Sequence, residues 1–211
     1  FLADYRRLIG RIVRMWREDR LTLRFLIASA VFRDGLAAIF AFAGVLAAGS
    51  YGLSASEVIL LGVVANISAG IGAIAAGWLD DRLGSPAVII TGLLCLIAGT
   101  VPIAVSDSPT VFWACAVFLC LFVGPVQSSS RAFLARITPP EEAGENFGLY
   151  ATTGRAVSFI GPVMFALFIA LLGYQRAGAL GIAVVLAAGL ALFWSMNRSH
   201  ARSARADRST S

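Results

Sequence analysis

Six stretches of this chain are so poor in charge that water is an unsuitable solvent for them. They run over about 21–48, 55–79, 86–105, 110–135, 146–172 and 177–196. Each has roughly the 20 residues that a helix needs to cross a hydrocarbon core of about 30 Å. Only 14% of the 211 residues are charged and 58% are hydrophobic, against about a quarter charged in a soluble domain. Within lipid every backbone N–H and C=O must be paired inside the protein, which leaves helices and closed barrels. The runs here are continuous, without the apolar–polar alternation of barrel strands. The sequence therefore predicts an all-α membrane protein with a six-helix transmembrane domain over 21–196.

The connections between spans carry the charge. The tightest is Gly77-Trp78-Leu79-Asp80-Asp81-Arg82-Leu83-Gly84, whose glycines permit a sharp turn. It is so short that the second and third spans must be antiparallel neighbours. Ahead of it, Ala65, Ala69, Ala73 and Gly77 recur every four residues, a stripe of small side chains that allows another helix to approach closely.

All seventeen basic residues are arginines, and seven fall between Arg6 and Arg24. With six crossings, that group shares one side with Arg82, Arg131, Arg136 and the arginines after Asn197. Arg176 alone lies opposite. The excess of arginine predicts that both termini are cytoplasmic. Residues 1–20 read as a basic amphipathic linker helix lying in the membrane interface, with Leu2, Tyr5, Leu8 or Ile9, Ile12 or Val13, and Trp16 on the apolar face. Residues 197–211, rich in Arg and Ser, read as a disordered basic tail.

Several polar groups interrupt the spans. Arg33 and Asp34 lie near mid-depth of the first, where either charge costs about 2.5–3.5 kcal/mol on insertion scales. Adjacent helix positions diverge by about 100°, so the two cannot simply neutralise each other. Each needs a partner on another helix or a wet cavity, and both are candidates for substrate binding or proton coupling. Asn66 and Arg155 are further candidates. Arg155 is placed to meet an anionic substrate or to pair with Asp34 or Glu145. Pro125 and Pro162, each after a glycine, predict kinks facing a cavity. Gln127, Ser128, Ser130 and Arg131 follow the first kink; Gln127 is a substrate candidate. Ser128, Ser130 and Arg131 either line the cytoplasmic mouth of a pathway or mark a helix end near headgroups.

Other chemistries are disfavoured. Cys95, Cys115 and Cys120 lie inside apolar spans without CxxC spacing, and His200 is the sole histidine. No metal site, cofactor or enzymatic centre is expected from such a set. No phosphate-binding Gly-rich loop with Lys-Ser/Thr is present, and no nucleic-acid partner is expected.

Two resemblances extend this reading. The pattern Gly77-x-x-x-Asp81-Arg82-x-Gly84 between the second and third of six spans resembles the loop signature of the major facilitator superfamily, with Ser85-Pro86 where a basic residue usually follows. The runs Phe32-Arg33-Asp34-Gly35, Gly70-Ile71-Gly72-Ala73, Gly124-Pro125-Val126-Gln127-Ser128-Ser129-Ser130-Arg131, Thr138-Pro139-Pro140-Glu141 and Phe147-Gly148-Leu149-Tyr150 are similar to its vacuole-effluxer family, which includes autophagy-related vacuolar exporters and bacterial members. Members commonly have Asn where Arg33 stands. The resemblance implies the carboxyl-terminal half of a twelve-helix secondary transporter, with an N-terminal six-helix half as its missing partner. The substrate would be a small polar solute, amino acids foremost, moved with or without a coupled proton across a bacterial inner membrane. Gly77, Asp81, Arg82 and Gly84 would then gate by meeting the other half. The alternative is a self-contained six-span protein acting as a homodimeric half-transporter or a membrane scaffold.

Overall fold

The computed structural model describes the backbone over residues 19–209 and the side chains over residues 19–199. The amphipathic helix expected over 1–20 lies outside the described residues except for its last two. Among the described residues there are seven α-helices, two 3₁₀ turns and no strand.

The first helix, α1 (Arg20–Tyr51), starts where Asp19 accepts a hydrogen bond from the Thr22 N–H at 3.1 Å, satisfying one orphan donor of the first turn. It stops at Gly52, whose φ of 66° ends the helix in the left-handed region. The second, α2 (Ala55–Leu83), opens with a reciprocal cap between Ser54 and Glu57. Then follow α3 (Ser85–Val105) and α4 (Pro109–Ile137), each with proline in its first turn. The fifth crossing is divided into α5 (Ala143–Ala156) and α6 (Ile160–Leu172), and α7 (Gly178–Ser209) completes the bundle. Counting α5 and α6 together with the preceding turn, six helical elements are long and apolar enough to cross a membrane.

Contacts between connections fix the up-and-down order. At one end the Tyr51 hydroxyl donates to the Ile103 carbonyl at 2.7 Å, Ser50 donates to Gln175, and Arg176 pairs with Asp107 and the Ser106 carbonyl. At the other end Arg136, near the close of α4, donates to Ser85, which opens α3. The core between α1, α4, α5 and α7 is aromatic. Phe25 lies 4.8 Å from Phe133 and 6.1 Å from Phe193, with Tyr150 stacked at 6.3 Å. Offset and edge contacts of this kind add to simple burial.

Four details depart from the sequence reading, each for a local reason. The polar stretch from Gly77 to Gly84 is not a loop: α2 remains helical to Leu83 and Gly84 alone makes the turn, with φ 80°. The packed stripe of α2 is Leu61, Ala65, Ser68, Gly72 and Ala76, while Ala69 and Ala73 are only half-buried and a Cβ at Gly77 would meet open space. A strict four-residue spacing drifts about 40° per step around a 3.6-residue helix, so the contact stripe takes one step of three among its steps of four. The two prolines also act differently. Pro125 sits in an unbroken α4, whereas Pro162 follows a true break. Finally, α7 continues to Ser209 through the segment expected to be disordered, since Arg and Ala are good helix formers and no Gly or Pro interrupts them.

The small residues of α2 explain how α4 tolerates Pro125. Proline has no N–H, so the Leu121 carbonyl four residues earlier loses its helical donor. That carbonyl rests against Gly72, where a Cβ would collide with it, and Gly124 is pressed in turn against the Ala69 carbonyl and the Ala73 nitrogen. The unpaired oxygen thus faces a glycine Cα–H instead of lipid. The stretches of α2 and α5–α6 are the least covered: 17% and 11% of their most apolar windows are buried, against 61% in α1.

Candidate functional site

The site is organised by the interruption between α5 and α6. Pro162 cannot donate to the Ser158 carbonyl, and the helix gives way to hydrogen-bonded turns over residues 157–159 before α6 restarts at Ile160. A new helix start exposes unpaired N–H groups and the positive end of a dipole. Asp34, buried at 4% exposure, meets that need: its carboxylate accepts from the Gly161 N–H. The approach requires glycine, because a Cβ at 161 would lie 2.9 Å from the Ala38 Cβ and 3.2 Å from the Asp34 Oδ2.

The neighbouring Arg33 reaches the other side of the break. Its guanidinium donates to the Tyr150 carbonyl at 2.7 Å and lies 3.8 Å from the centre of the Tyr150 ring. Gly154 leaves space for it; a Cβ there would stand 3.1 Å from an Arg33 nitrogen. A cation therefore lies against the last two turns of α5 and an anion caps the first turn of α6. The divergence of adjacent positions, which prevents Arg33 and Asp34 from pairing with each other, lets them hold two segments of one interrupted helix.

Arg33, Asp34, Ala37, Gln127, Ala151 and Arg155 line an open cleft of roughly 370 Å³, at the lower end of the about 300–1,000 Å³ of small-molecule sites. A second cleft beside it, lined by Asn66, Ala73, Gln127, Ser128 and Arg131 among others, shares Gln127. Four of the five predicted binding or coupling residues are thus brought into one cleft, and the fifth, Asn66, into its neighbour. Asn66 donates to the Gly62 carbonyl of its own helix at 2.8 Å and bonds no other helix. Ser128 and Arg131 line the second cleft. Ser130 does not: it is buried, with its hydroxyl on the Val126 carbonyl. Ser130 and Arg131 both meet the Tyr150 side chain.

A second polar cluster ties the arginine-rich end together. Asp80, not Asp81, is its centre. Asp80 is buried and accepts from Ser129 of α4 at 2.7 Å and from Ser85 of α3 at 3.0 Å, while Arg136 donates to Ser85 at 3.1 Å. Asp81 is exposed. Arg82, also exposed, lies with its guanidinium 3.8 Å from the Trp78 ring centre on its own helix. Sequence reasoning missed Asp80, Ser85, Ser129 and Arg136 as a unit. The buried stripe Leu61, Ala65, Ser68, Gly72, Ala76 reaches Asp80 at its next step of four, but that stripe is set by where α4 packs and is not marked in the residue pattern.

With this geometry in view, comparison with known proteins decides the family. The profile described as "Vacuole effluxer Atg22 like" matches residues 3–206. The chain belongs to this family. It is 23% identical over 184 residues to the "Uncharacterized MFS-type transporter YxiO" of Bacillus subtilis (strain 168), covering 87% of this chain and 43% of that protein. It is 29% identical over 178 residues to "Autophagy-related protein 22" of Cryptococcus neoformans var. neoformans serotype D (strain JEC21 / ATCC MYA-565), covering 77% of this chain and 31% of that protein. The chain thus spans less than half the length of these relatives. As an Atg22-like protein with six spanning elements it is an integral membrane protein, and the resemblance to this family drawn from its motifs is upheld.

Proposed function

We propose that this chain forms the carboxyl-terminal half of a secondary transporter that moves small polar solutes, amino acids foremost, by alternating access. One observation carries the reading. Polar residues of α1, α4 and α5 converge on an open cleft at a break in a spanning helix. Interrupted helices that present backbone ends at mid-membrane are a recurrent way to build solute and ion sites. Membership of a family with an MFS-type transporter supports the same reading.

On this proposal an N-terminal six-helix half covers the exposed faces of α2 and α5–α6. The face of α2 carries Ile59, Val63, Ile67, Ile71, Ile74 and Trp78 at helical spacing, all exposed. The arginine-rich end is cytoplasmic, and Gly77, Asp81, Arg82 and Gly84 gate there. Coupling to a proton would run through Asp34. The similarity to a Bacillus subtilis protein over most of this chain supports a bacterial cytoplasmic membrane. The test is counterflow of radiolabelled amino acids by the intact protein in proteoliposomes. Exchange that requires the protein supports the proposal. Absence of exchange for every amino acid removes amino acids as the solute class.

A further inference from the structure

We propose that Arg155 is the anchor for a carboxylate, so that the cleft takes solutes bearing an anionic group and does not recognise an ammonium. This deepens the transport reading and rests on the cleft being a solute site. Asp34 and Arg33 offer opposite charges in adjacent positions, a pattern suited to a zwitterion. The structure removes both from that task, since Asp34 is committed to the Gly161 N–H and Arg33 to the Tyr150 carbonyl and ring.

Arg155 is different. It lines the cleft, it is exposed, and its guanidinium makes no hydrogen bond or ion pair with any described residue. Gln127, on the facing helix, likewise has no such partner. Arg155 lies nine residues, about 14 Å, inside the apolar span that begins near residue 146. That places the guanidinium within the hydrocarbon-length part of the helix and not at its end. A cation at that depth marks a partner or a functional site. The walls of the two adjacent clefts present the side chains of Arg33, Arg131 and Arg155 against a single carboxylate, Asp34, which already caps a helix. Like charges facing one low-dielectric cleft focus a field that concentrates ligands of the opposite sign. Arg155 supplies a planar fork that binds a carboxylate through two parallel hydrogen bonds, and Gln127 supplies a further donor and acceptor.

The test needs no transport. The intact protein, in nanodiscs of phosphatidylcholine, is treated with p-hydroxyphenylglyoxal, and modification of Arg155 is followed by peptide mass spectrometry. Arg176, held by Asp107, serves as internal reference. The probes are L-leucine, 4-methylpentanoate (the carboxylate without the amine) and leucinamide (the amine without the carboxylate), together with glutamate and malate. We expect 4-methylpentanoate and at least one other carboxylate to slow modification of Arg155 severalfold, and leucinamide to leave it unchanged. In Arg155→Lys the same carboxylates should still compete with an amine-directed reagent at position 155. In Arg155→Gln the carboxylate concentration that half-protects Gln127→Cys from a thiol reagent, in the double variant, should rise about tenfold or more, as expected for loss of a charge-assisted pair.

The proposal is overturned if no carboxylate protects Arg155, if leucinamide protects as well as leucine, or if phosphatidylglycerol nanodiscs alone protect it fully, which would make it a lipid site. Protection without counterflow would uphold the anchor and count against transport. Counterflow of a carboxylate that persists unchanged in Arg155→Gln would uphold transport and remove the anchor.

Discussion

Replacing Asp80 and Asp81 one at a time separates two adjacent carboxylates that the sequence alone does not distinguish. In Asp80→Ala the Ser129 and Ser85 hydroxyls lose their shared acceptor, at 2.7 and 3.0 Å, and Arg136 is left on a serine that no longer bridges to a charge. Hydrogen bonds to a charged group contribute about 1.5–3 kcal/mol each. Part is recovered, because a serine hydroxyl can turn back to a carbonyl of its own helix, as Ser128 and Ser130 do. The net loss is then about 2–4 kcal/mol. In the proposed twelve-helix protein, about twice the size of this chain, roughly 1–2 °C of Tm is lost per kcal/mol, so the expected fall is about 2–8 °C. Asp80→Asn, which keeps one acceptor oxygen, should lie between Asp80→Ala and the unaltered protein. The assay is thermal denaturation of the intact protein in detergent. Asp81→Ala should leave Tm unchanged, because Asp81 is exposed, while Asp81→Asn should slow transport through loss of a gate contact. An Asp80→Ala protein as stable as the parent, or equal falls for Asp80→Ala and Asp81→Ala, would refute the assignment.

Three further outcomes are expected. Gly124→Ala drives a Cβ into the backbone of α2, which cannot rotate aside, and should cost about 1–3 kcal/mol; Gly62→Ala, with open space at its Cβ, should be neutral or stabilising in the same thermal assay. Cysteines replacing Ser50 or Asp107 should react with an impermeant maleimide from outside and a cysteine replacing Arg82 should not; external labelling at Arg82 would overturn the orientation. Asp34→Asn keeps an oxygen for the Gly161 N–H but not the charge, so solute exchange should survive while pH-driven accumulation is lost; reduced affinity at every pH would make Asp34 a binding group instead, and unchanged accumulation would leave it only the capping role.

The six spans were legible because bilayer length and charge exclusion act on every residue of a run, and the motifs carried the family. Arg33 and Asp34 were legible as costly groups, and their need for partners follows from helix geometry alone. Their actual partners were not legible. Both are backbone atoms, the Tyr150 carbonyl and the Gly161 N–H, more than a hundred positions away, and a backbone group leaves no mark in a residue pattern. Pro162 announced an irregularity, but whether a proline kinks or breaks a helix depends on what satisfies the freed groups. At Pro125 a glycine of α2 packs against the freed carbonyl; at Pro162 a carboxylate of α1 caps the restarted helix. The Asp80 cluster was obscured because the motif pattern draws the eye to Asp81, while the rotation of α2 that buries Asp80 depends on where α4 packs.

Thiol accessibility in the cleft at the helix break bears most directly on the claim that it is a solute pathway. In a protein with Cys95, Cys115 and Cys120 replaced, Ala37→Cys and Ala151→Cys place single thiols on its walls. The account predicts that a charged, membrane-impermeant methanethiosulfonate reagent modifies both positions inside their spans, and that carboxylate solutes slow the reaction. Thiols at 37 and 151 that stay unreactive from both sides of the membrane, in a protein that remains folded, would contradict it.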